Sequence, residues 1–188
     1  MRKQAAIAGV ALLGLAALAT PGLARKFGRQ FGGRELSPPA KANCRFSDGK
    51  TITVEYSSPR VRGRQIFGGL VPYDSVWILG ANQATTFDTT ANLTAGGKEV
   101  PAGNYTLFAI PNPKSWTLII NKTSRDDIGF MSYYPGKSSD LARIPMAVSK
   151  LPSKLEDFTI SFAPAGSTCT ARFAWDLTQA SLSFSEKK

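Results

Sequence analysis

No long amphipathic helix can be traced in this chain, and that constrains the fold more than any other feature. Between Thr51 and Ser185, Gly, Pro, Asn and Asp cut the sequence into short extended runs. The run Thr51–Ser57 alternates cleanly, with Ile52, Val54 and Tyr56 on one face, as a half-buried strand requires. Ser75–Leu79, Ala84–Asp88 and Ala91–Thr94 read as further strands. Tyr105–Ile110 and Ser115–Asn121 read as a hairpin across Pro111–Lys114, and both carry apolar residues on both faces, as central strands do. Strand patterns resume at Ile144–Ser149, Asp157–Ala163, Cys169–Asp176 and Ala180–Ser185, after a short helical turn expected at Asp140–Arg143. About ten short strands with little helix predict an all-β fold, an antiparallel β-sandwich.

The start of the chain has a different character. Arg2 and Lys3 precede an apolar run from Ala5 to Ala19, then Pro21-Gly22-Leu23-Ala24. A positive end, a short apolar core and small residues before a break make residues 1–24 a signal peptide, with cleavage near Ala24. The run is shorter than the ~20 residues a bilayer span needs, so no permanent membrane span is expected. Residues 25–41, basic and rich in Gly and Pro, are expected to be a flexible tether. Residues 42–188 then form a single β-domain in a periplasmic or secreted protein. In an oxidising compartment, Cys44 and Cys169 suggest a disulfide; two buried free thiols are the alternative.

Histidine is absent. That removes the usual general base and the usual zinc ligand, and two sulfurs alone make a poor metal site. No metal and no cofactor is expected. There is no phosphate-binding loop and no nucleophile elbow, which weighs against an enzyme. The formal net charge is +10, but the positive residues form no long run and no nucleic-acid module is present. A nucleic-acid partner is therefore not expected.

One local pattern points to a ligand. In an extended chain Arg60, Arg62 and Arg64 would share a face, and three guanidiniums side by side call for an anion among them. Gly63 can break that geometry, and a charged edge guarding against aggregation is the alternative. The polar turn holding Asn82 and Thr85 lies close in sequence. Tyr133 and Tyr134, in a long segment without periodicity, are the kind of amphipathic side chains that meet sugars. Together these residues suggest a binding or structural module with an anionic glycan or envelope component as partner. The competing reading is a periplasmic hydrolase acting on envelope or polysaccharide material through carboxylates such as Glu55 or Asp74.

A series of short motifs also resembles a family of exported bacterial proteins, domain-of-unknown-function family 2911. They are Tyr56 and Pro59, Gly63-Arg64, Ile66-Phe67-Gly68, Val71-Pro72-Tyr73, Trp77, Gly80-Ala81-Asn82, Ala84-Thr85, Pro101-Ala102-Gly103, Tyr105 and Trp116. The likeness covers about Ser37 to Ser185. It implies a β-sandwich and bacterial export, and no activity. This chain departs from the pattern at Ile78, where Arg is common, and at Gln83, where an acid is common.

Overall fold

The computed structural model describes residues 36–129 and 133–187. The expected signal peptide, most of the expected tether and Phe130 lie outside the described residues. Among the described residues nine antiparallel strands join in one hydrogen-bonded sheet: β1 (Pro39–Arg45), β2 (Thr51–Ser57), β3 (Thr85–Thr89), β4 (Leu93–Ala95), β5 (Lys98–Val100), β6 (Gly103–Ile110), β7 (Ser115–Asn121), β8 (Asp140–Ala165) and β9 (Thr168–Glu186). Their order across the sheet is β1-β2-β3-β6-β7-β8-β9-β4-β5. The all-β expectation holds. The strands are fewer and, at the C-terminal end, much longer than the turn residues suggested.

Two long strands replace four short ones because their interruptions are bulges and bends. Irregularities between Lys150 and Leu155 and between Leu155 and Thr159 kink β8 without ending its pairing with β9. At Asp176, whose φ is 54°, β9 doubles back. Its Glu186 amide then donates to the Ser167 carbonyl, and the Thr170 and Ser183 hydroxyls meet at 2.9 Å. The sheet curls until the second half of β8 reaches the segment after β2. There the Phe158 amide donates to Pro59, and Arg60 pairs with Asp157. The Cys44–Cys169 disulfide ties β1 to β9 across the same space.

The inward faces fill one core. Ile52, Val54, Phe87, Leu107, Leu118, Ile120, Ile144, Phe158, Phe173 and Phe184 are sealed from solvent. At its centre the rings of Phe67, Trp77, Trp116, Phe158 and Trp175 pack mostly edge to face, with centroids 4.8 to 6.2 Å apart. A smaller cluster of Ala84, Phe108, Ile119 and Ile128 lies on the other face of β6 and β7. It explains why both strands are apolar on both sides: the segment after β7 covers their outer face. That segment holds a single helical turn, α1 (Arg125–Ile128), capped by Ser124, whose hydroxyl accepts the Asp127 amide.

Three local expectations are corrected. Ser75–Leu79 is not a strand: Asp74 and Leu79 adopt left-handed φ of 58° and 54°, and only Trp77 exchanges backbone hydrogen bonds with Ala109. Asp140–Arg143 begins β8 rather than a helical turn. The Asp140 carboxylate is committed to accepting from Asn121, Tyr134 and Arg143, which draws this stretch onto the sheet. Finally, Pro39–Lys41 belongs to β1, paired with Glu55–Ser57, so the last residues of the expected tether are strand.

Candidate functional site

The arginines expected to share a face are turned apart. Arg62 and Gly63 take φ of 49° and 70°, a left-handed pair that coils the chain where extension was required. Arg60 sends Nε to the Asp157 carboxylate at 2.7 Å and is largely covered. Arg64 folds back and donates to the Val61 and Arg60 carbonyls. Asn82 donates to the Ser37 carbonyl, and Thr85 is buried, its hydroxyl donating to Leu79. Tyr133 stands exposed, whereas Tyr134 packs on Phe108, donates to Asp140 and accepts from Arg143. The seven residues do not converge on one concavity.

A different set does converge, on the outer face of β1, β2 and β3. Alternation along β2 sends Ile52, Val54 and Tyr56 inward and leaves Thr53, Glu55 and Ser57 outward. Lys41 lies directly across from Glu55 in the β1–β2 register, and their side chains pair at 3.0 Å. On the next strand outward-facing Thr86 and Asp88 flank the core residue Phe87. Arg125, at the start of α1, reaches over this face. Its Nε donates to the Ala84 carbonyl at 2.8 Å, and its Nη2 donates to the Glu55 carbonyl at 2.9 Å and to Thr86.

The result is a recess of about 370 Å³ lined by Pro39, Lys41, Glu55, Ser57, Gln83 and Arg125. A smaller one of about 240 Å³, holding Thr86, Asp88, Asn104 and Asp126, adjoins it at Arg125. The two recesses meet at Arg125 and make a groove of mixed polar and apolar lining across β1, β2, β3 and β6. Arg125 spends donors on carbonyls and a hydroxyl, and among the described residues no carboxylate pairs with it, so its charge acts on the groove. Asp88 is pushed above the ordinary carboxylate value, first by burial and then by the negative charge of Glu55, with Arg125 and Lys41 opposing.

Glu55 is among the carboxylates singled out from sequence. Lys41 enters only through the strand register, and nothing local to residue 125 signals that its side chain reaches both β2 and β3. Asp74, the other carboxylate named from sequence, stands apart at the β6–β7 turn, where it accepts from Asn112 at 2.8 Å. Among the described residues no cluster of three or more metal-ligating side chains occurs. No helix of the described residues is long and apolar enough to cross a membrane. The disulfide is compatible with an extracellular or periplasmic protein.

Comparison with known protein families finds a match. A family model described as "Protein of unknown function (DUF2911)" covers residues 37–184. No curated protein and no solved structure matches the chain.

Proposed function

We propose that this chain, which belongs to the DUF2911 family, is an exported saccharide-binding module whose ligand lies in the groove across β1, β2, β3 and β6. One observation carries the reading: donors and acceptors are mixed around the lining of an open groove. Lys41 and Arg125 donate, Glu55 and Asp88 accept, and Gln83, Ser57, Thr86 and Asn104 do both. Each sugar hydroxyl both donates and accepts, so vicinal hydroxyls match such a lining, whereas a purely basic surface would select simple anions. Most of the groove's side chains sit on paired strands, so they are held ready for a ligand. Lys41 and Arg125 favour saccharides carrying carboxylate or sulfate groups.

The test is calorimetric titration of the protein with neutral and acidic polysaccharides. Gln83→Ala and Glu55→Gln are expected to weaken binding about five- to tenfold each, as the loss of one ligand hydrogen bond does. Arg62→Ala, remote from the groove, should leave binding unchanged. If no saccharide binds, or if both groove variants bind as the unmodified protein does, the reading fails.

A second reading, hydrolysis of the same class of ligand, has its own support. Thr53 lies opposite Asp88 and Glu55 opposite Thr86, so the two carboxylates occupy diagonal positions on neighbouring strands, ~7–8 Å apart in strand geometry. Diagonal side chains on one face of a sheet can set two carboxyl groups at the separation an inverting pair uses, and Asp88 has the raised affinity for a proton that a general acid needs. Release of reducing ends that Asp88→Asn abolishes, with binding retained, would select hydrolysis over simple binding.

A further inference from the structure

We infer a second ligand site, separate from the groove, that takes a small carboxylate with an apolar ring. It is a recess of about 350 Å³ walled by Phe67, Tyr73, Trp116, Val148 and Leu177, with Ser149, Lys150 and Thr178 among its polar lining. Its volume is near the lower end of ligand pockets, about 300–1,000 Å³, which sets the size of the guest. Four segments build it: the turn 66–74, the β6–β7 turn, the end of the first half of β8 and the bend of β9.

The apolar wall is held in place. The ring of Tyr73 lies against Gly68, where a Cβ would come within 2.8 Å of Tyr73 Cε2, and Gly68 has φ of 78°. Any side chain there would push the ring aside and would strain the backbone at that φ. The neighbouring Asp74 is held at left-handed φ, its amide donating to the Pro111 carbonyl and its carboxylate accepting from Asn112. A strained residue pinned at both ends fixes the angle at which Tyr73 meets the recess. Even so, Tyr73 and Leu177 each remain 38% exposed, so apolar surface is held open toward solvent rather than folded away.

The charge argument selects the guest. Nearby carboxylates are already engaged, Asp74 by Asn112 and Asp176 by Lys154 at 3.5 Å. Lys150 has no ion-pair partner among the described residues. An ammonium with no counter-charge among the described residues, in a recess lined also by two hydroxyls and a fixed aromatic wall, suits a guest with a compact apolar ring and a carboxylate at one end.

Titration of the full chain with benzoate and cyclohexanecarboxylate, followed by tryptophan fluorescence and calorimetry, tests the inference against the uncharged benzamide. Both acids are expected to bind about tenfold more tightly than benzamide. Lys150→Gln should erase that preference while leaving benzamide binding unaltered, and this exposed position places no demand on folding. Tyr73→Ala should weaken acids and amide alike, and Gln83→Ala in the groove should change neither. Equal binding of acid and amide, no binding of either, or an acid preference that survives Lys150→Gln would each overturn the site. None of these results depends on whether saccharides bind the groove.

Discussion

The Ile160 amide donates its proton to the phenol oxygen of Tyr56 at 3.0 Å, joining β2 to the far half of β8 across 104 residues. Both groups are buried, and the ring of Tyr56 also meets Phe158 edge to face at 5.6 Å. Tyr56→Phe keeps the ring and strands the amide. It is expected to cost about 1–3 kcal/mol in urea unfolding at neutral pH. Tyr105→Phe, whose hydroxyl donates to Pro101 in an exposed setting, should cost less. Burial raises the Tyr56 phenol above its ordinary value of 10.0, with the Ile160 hydrogen bond opposing. The folded value therefore exceeds the unfolded one. The associated stability is full below the unfolded value and is lost as pH rises through the folded one. Tyr56→Phe should remove that part of the alkaline decline.

The disulfide acts mainly on the unfolded chain. Cys44 and Cys169 are 125 residues apart in sequence, and closing so long a loop stabilises the fold by about 5 kcal/mol on the chain-entropy model. The double variant Cys44→Ala, Cys169→Ala should unfold at a markedly lower denaturant concentration. Reductant should lower the midpoint of the unmodified protein toward that of the variant and leave the variant itself unmoved.

The turn between β4 and β5 separates two glycine effects. Gly96 and Gly97 both have left-handed φ, 54° and 73°, but a Cβ at Gly96 would meet Ile144 Cγ2 at 2.6 Å, while Gly97 faces open space. Gly97→Ala should cost about 1 kcal/mol, the backbone penalty alone. Gly96→Ala adds a collision with a buried core residue, which overpacking makes worth a further ~1–3 kcal/mol. Equal losses in thermal unfolding would show that Ile144 yields freely.

Much of the fold is legible in the chain because alternation is a local signal. The inward Ile52, Val54 and Tyr56, and the doubly apolar β6 and β7, announce themselves without knowledge of their partners. What escapes is set by contacts far apart in sequence. The double-sided burial of Phe108 and Ile119 needs Ile128, and the merging of four short runs into β8 and β9 depends on bulges that leave little trace in composition. The candidate groove is harder still. Lys41 and Glu55 meet only because the β1–β2 register places them opposite each other, and Arg125 arrives from a segment with no periodic pattern. The arginine face failed for a local reason that was visible: Gly63, with Arg62 beside it, coils the backbone.

Asp88 offers a pH-dependent test of the groove. Burial and the neighbouring Glu55 charge hold its carboxyl above the unfolded value of 3.8. Its contribution is therefore present below that value and lost as pH rises through the folded one, so at neutral pH the ionised carboxylate opposes folding. Asp88→Asn should raise the urea midpoint near neutral pH and leave it unchanged in strong acid, where the native residue is already protonated. The gain should be modest, since solvent still reaches much of the group and Arg125 and Lys41 already offset part of the cost. It should shrink further in Glu55→Gln, because the repulsion from Glu55 is then gone. A midpoint that falls at neutral pH would mean that Asp88 is held by its cationic neighbours more strongly than burial and Glu55 oppose it, and that the groove carries the opposite electrostatic balance.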